Sequence, residues 1–121
     1  MNLNHIDLPT TDVPACRAFF EQHFGLRCVF SREDGLTVLI DEANFALTLS
    51  PLLEGERLQF PSGFHVGFNV GSEHEFYQTH GRMAAAKVPM VLQPTMLGGA
   101  LTFHCHAPGP ILVEVAWRRP E

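Results

Sequence analysis

The sequence predicts an α+β domain of two βαβββ modules, its strands in a curved mixed sheet around a cavity and its helices on the outer face. Three observations lead there. Strand-like, helix-like and turn-like segments follow one another in the same order twice, and a fixed internal period carries more weight than any single segment. A histidine sits near the start of each half, His5 in "LNHIDL" and His65 in "FHVGFNV", and each lies seven residues before a helix-capping residue, Asp12 and Ser72. The 121 residues, 45% of them apolar, suit one domain with a packed core: module one over 1–50, a linker over 51–62 and module two over 63–118. Each half is too small to bury its sheet alone.

The elements follow in order. The first strand is read at 3–8. A helix follows over 11–25, with Asp12 as cap, Pro14 in the first turn, Val13, Cys16, Phe20 and Phe24 at helical spacing, and Gly25 as its end. Strands are expected at 26–30, 36–40 and 45–50, the first two joined at Asp34-Gly35. Residues 51–63, polar and rich in Pro and Gly, form the connecting loop. The second half opens with a strand at 64–70. Ser72 and Glu75 make a capping box for a helix running to about 87. Strands at 88–92, 101–106 and 111–117 close the chain, the last two joined by "APGP" at 107–110. The stretch "MLGGA" reads as a loop over the cavity.

Composition excludes several classes. A formal charge of −5 with no basic stripe argues against nucleic acid. No apolar run reaches the ~18 residues a membrane span needs. No secretory leader is recognisable. Three scattered cysteines, Cys16, Cys28 and Cys105, read as reduced thiols of a cytoplasmic protein, Cys16 and Cys28 as small core residues. No P-loop, dinucleotide fingerprint or serine nucleophile motif is present.

Strand parity then sorts side chains by face. Val113, Val115 and Trp117 share one side, as do Phe64, Val66 and Phe68, and Leu47 and Leu49; these suit packing under the helices. The opposite face carries His5, His65 and Glu114. A carboxylate boxed between Val113 and Val115 needs a partner. A cation is one candidate and an arginine such as Arg118 or Arg119 another. Two imidazoles and one carboxylate form the facial set that holds a divalent metal and leaves positions open for substrate. Fe(II), Mn(II), Zn(II) and Ni(II) all suit such donors. His104 lies on the seventh strand as an acid/base or outer-shell candidate. Asp7 shares the face of His5 near the strand end and reads as solvated, and His106 as solvent-facing. His23, His74 and His80 fall on helices.

The paired βαβββ order, "LNHIDL" before a Pro-containing helix, "FHVGFNV" and the glutamate of "ILVEV" resemble the vicinal oxygen chelate superfamily, which includes glyoxalases, extradiol dioxygenases, fosfomycin-resistance thiol transferases and bleomycin-resistance proteins. The resemblance spans nearly the whole chain. It implies a homodimer, a small-molecule substrate chelating the metal through neighbouring oxygens, and metal ligands at His5, His65 and Glu114, with His104 as the proton-transfer candidate. The fourth ligand position, a glutamate in glyoxalases, falls here on Thr48. The serine-rich cation loop and basic residues of the fosfomycin enzymes are absent from "QPTMLGGA". The resemblance leaves two functions open, a metal-dependent enzyme and a metal-free protein that sequesters a small molecule or antibiotic.

Overall fold

The computed structural model describes residues 1–121. Two helices and eight strands occur in the order β1 (His5–Thr10), α1 (Val13–Phe24), β2 (Arg27–Ser31), β3 (Thr37–Ile40), β4 (Ala46–Pro51), β5 (His65–Asn69), α2 (Glu73–Ala85), β6 (Met90–Leu97), β7 (Ala100–Ala107) and β8 (Ile111–Trp117). This is the expected βαβββ pair. The strands form two four-stranded mixed sheets, ordered β1-β4-β3-β2 and β5-β8-β7-β6. In each, the first strand runs parallel to the last and the other pairs are antiparallel. The chain divides into two compact units, residues 1–59 with 108–110 and residues 60–107 with 111–121.

In unit 1, Asp12 caps α1 by accepting a hydrogen bond from the Ala15 amide (3.0 Å), and Pro14 needs no amide partner in the first turn. Gly25 closes the helix at φ 66, a left-handed conformation that a Cβ would strain. The stripe Val13, Cys16, Phe19, Phe20 and His23 is buried, and α1 packs on β3 and β4, where Leu39, Leu47 and Leu49 face it. Burial of an aromatic such as Phe20 contributes roughly 1.5–3 kcal/mol. Cys16 is fully buried as expected, whereas Cys28 is only half-buried, because β2 is an edge strand with little above it. The turn 108–110 belongs to this unit: the Gly109 carbonyl accepts from the Thr11 amide and hydroxyl, both at 3.0 Å.

In unit 2, the Ser72 hydroxyl accepts from the Glu75 amide (3.0 Å). The return bond of the expected capping box shifts by one residue: Glu75 Oε2 accepts from the Gly71 amide (2.9 Å). The α2 stripe Phe76, Thr79 and Met83 is buried, with Phe76 edge-on to Phe103 at 5.3 Å. The helix ends at Ala85, two residues short of the expected 87, and Lys87 takes φ 61. The expected loop over "MLGGA" is instead the end of β6 and its hairpin. Pro94 is tolerated there because β6 lies at the sheet edge and the register shifts between Leu92 and Thr95.

Candidate functional site

In each unit the helix covers one sheet face, and the residues assigned to the other face by strand parity are mostly exposed or half-buried. Register defines the rows across that face. In unit 2 one row runs Leu92, His104, Glu114, Gly67, and a second joins His106, Leu112 and His65. The corresponding rows in unit 1 are Phe30, Val38, Thr48, Asp7 and Arg27, Ile40, Ala46, His5. His5 and His65 therefore hold the same position in their sheets, and Glu114 holds the position of Thr48.

Unit 2 gathers three candidate residues. His104 Nε2 lies 3.1 Å from Glu114 Oε1. The two side chains are 18% and 28% exposed, so this contact is partly shielded from water. An ionised carboxylate only accepts, so Nε2 of His104 carries the proton and donates. The partner of Glu114 is thus His104 rather than an arginine; Arg118 turns instead to the Gly98 carbonyl (3.2 Å). The second oxygen, Oε2, faces Gly67, where an added Cβ would stand 3.6 Å away. His65 and His104 rings lie nearly parallel with centroids 5.9 Å apart.

The two strand-opening histidines share a further feature. His65 Nδ1 lies 2.8 Å from the Gly63 carbonyl, which can only accept, so Nδ1 holds the proton and the Nε2 lone pair is free. His5 Nδ1 lies 2.7 Å from Asn4 Oδ1, fixing the same tautomer. Metal-binding histidines are oriented in this way, with one ring N–H tied to an oxygen and the other nitrogen presented. The chain does not bring together three His, Cys, Asp or Glu side chains as a metal-holding group.

The other histidines serve elsewhere. His23 is buried beside Phe19, His80 bonds Gln93 (3.0 Å) over Phe103, and His106 is exposed as expected. A hollow of about 570 Å³ lined by Tyr77, Met96, Trp117 and Arg119 contains none of the candidate residues. Sequence reasoning missed the pairing of His104 with Glu114, although the signal was present: counting back from the turn 108–110 sets these two residues opposite each other.

A repeated βαβββ unit with histidine and carboxylate side chains on an open sheet face defines a class of small α+β proteins. The Glyoxalase/Bleomycin resistance protein/Dioxygenase superfamily model matches residues 2–115, and the chain belongs to that superfamily. A possible glyoxalase from Bacillus cereus is 34% identical with a TM-score of 0.85, the match covering 96% of this chain and 98% of that one. The lactoylglutathione lyase of Agrobacterium tumefaciens (20% identity, TM-score 0.77, coverage 96% and 92%) shares the fold. So does the genomically encoded fosfomycin resistance protein of Listeria monocytogenes (22%, TM-score 0.79, coverage 98% and 94%). No curated protein matches the sequence significantly.

Proposed function

We propose that the protein is a divalent-metal-dependent enzyme acting on a small substrate with two neighbouring oxygens, with His5, His65 and Glu114 as metal ligands. The observation that carries this reading is the way the donors are held. Both histidines have Nδ1 tied to an oxygen and Nε2 free, and His104 ties one oxygen of Glu114 and leaves the other beside an open glycine. This donor set suits Fe(II), Mn(II), Zn(II) or Ni(II). When bound, the ion would act as a Lewis acid toward charge developing on a substrate oxygen.

The chain's own residues do the rest. His65 and Glu114 present Nε2 and Oε2. His104, with Nε2–H given to Glu114, keeps its lone pair on Nδ1, and that atom is the proposed proton acceptor. The reading includes a homodimer in which His5 meets His65 and Glu114 of the second copy, and the edge-strand side chains Val29 and Phe30, 48% and 52% exposed, are apolar surface that a second copy could cover. Three free cysteines suit a reducing compartment, and a cytoplasmic location is the corresponding reading, testable by cell fractionation. No helix is long and apolar enough to cross a membrane.

The test is elemental analysis of protein purified without chelator. About one ion per chain, lost in His65→Ala and Glu114→Gln, supports the enzyme. Protein that stays metal-free after incubation with each of the four ions, yet binds a small molecule, overturns it in favour of the sequestering reading.

A further inference from the structure

The hollow of about 570 Å³ in unit 2 lies on the helix side of the sheet, away from the face that carries His65, His104 and Glu114. Its floor is the cross-strand row Met96, Leu101, Trp117. Its walls are Glu73 and Tyr77, one turn apart on α2, and Arg119 beyond the end of β8. Unit 1 has a hollow of about 420 Å³ at the equivalent place, between the start of α1, the turn at Asp34-Gly35 and the end of β4 at Pro51. There the charges are already used: Asp12 caps α1, and Asp34 accepts from Arg32 at 3.1 and 2.7 Å. In unit 2 Arg118 donates to the Gly98 carbonyl and so holds the hairpin turn, but Glu73 and Arg119 have no hydrogen-bond or ion-pair partner.

We propose that this hollow is a second small-molecule site, and that its ligand is a zwitterion with an apolar body, of the kind a free aromatic or branched amino acid provides. Its size falls within the roughly 300–1,000 Å³ of ligand pockets, and its lining follows their pattern, a mainly apolar wall with a few polar groups. Leu101 is buried in the floor, whereas Tyr77 and Met96 are 49% and 65% exposed, apolar surface that nothing in the chain covers. Trp, Tyr and Arg are the side chains that contribute most when a binding surface is buried. Charge decides the class of ligand, because the lining carries one cation and one anion. Glu73 also suits the first turn of α2, where the helix dipole favours an acid; Arg119 has no such structural role. An anion alone would be drawn to Arg119 and repelled by Glu73, and a cation alone the reverse. A ligand with both an ammonium and a carboxylate satisfies each, and its apolar body covers Trp117, Tyr77 and Met96. The site is independent of the metal-dependent reading above.

Trp117 is the single tryptophan of the chain, so its emission reports on this hollow directly. The probes are L-phenylalanine and L-leucine, titrated into the full chain with excitation at the red edge, where only tryptophan absorbs. A saturable change in emission is expected. Arg119→Gln and Glu73→Gln, both at exposed positions, should each weaken binding about tenfold. Phenylpropionate and phenethylamine, each keeping one of the two charges of phenylalanine, should bind about tenfold more weakly than it does. His65→Ala and added chelator should leave the affinity unchanged. Thermal melts verify that each variant folds. No saturable change with either amino acid, or equal affinity in Arg119→Gln, overturns the site. Phenylpropionate binding as tightly as phenylalanine overturns the zwitterion. Emission that shifts with protein concentration alone assigns the hollow to a second copy of the chain and overturns the ligand.

Discussion

At the scale of single residues, the candidate site is a matter of which lone pairs and which oxygens are left over. Glu114 is legible in the sequence as a charged residue between two valines, and the structure explains how it is tolerated: it is half-exposed and accepts from His104. Gly67 keeps its second oxygen open. If Glu114 coordinates a metal as proposed, Gly67→Ala should leave metal binding intact, since 3.6 Å is an ordinary contact, whereas the branched side chain of Gly67→Val should crowd Oε2 and abolish it. Metal content in two folded variants checks this, and full occupancy in Gly67→Val would mean that Oε2 is not the coordinating oxygen. The thiols offer a second test. Burial pushes Cys16 and Cys105 from 9.0 up to about 11, while Cys28 is half-buried at a sheet edge. Iodoacetamide near pH 8 should label Cys28 first, as read by peptide mass spectrometry. The folded chain keeps protons on the buried thiols that the unfolded chain loses, so the stability they contribute is complete below about pH 9 and falls as pH rises toward 11. Urea melts across that range should show the decline, with a shallower slope in Cys105→Ala.

At the scale of elements, the helices were the most legible because their punctuation is local. Asp12, Pro14, Gly25 and Ser72 act where their chemistry requires. Asp12→Ala should cost about 1 kcal/mol through the lost cap, and Gly25→Ala ~1–2 kcal/mol for a Cβ at φ 66. Denaturant midpoints measure both, and an unchanged midpoint in either would contradict the capping account. Phe103→Ala, which removes the ring beneath Phe76, should cost about 3–5 kcal/mol. The strands were less legible at their ends. Strand β8 runs over 111–117 as expected, but β6 extends to Leu97 through Pro94. Proline marks a break in a central strand; at an edge, with a register shift beside it, the missing amide costs no ladder bond. Whether a strand is central or at the edge is a property of the sheet and is not written in the segment.

At the scale of the whole molecule, the duplication governs what is equivalent to what. The superfamily match over residues 2–115 spans both units. The proposed homodimer predicts a mass of two chains by light scattering, and Phe30→Glu on the exposed edge should shift it toward one; a wild-type monomer at micromolar concentration would remove the shared-site arrangement. The sequence by itself determined the order of elements, the repeat, the helix boundaries to within two residues, and the face on which His5, His65 and Glu114 lie, because capping chemistry and the two-residue alternation of a strand act over short distances. Only the tertiary structure decided that His104 holds Glu114, that Asp7 stands across from Thr48, and that Gly63 fixes the tautomer of His65. Those facts depend on cross-strand register and on hydrogen bonds between side chains and backbone, which exist only once separate segments are set side by side.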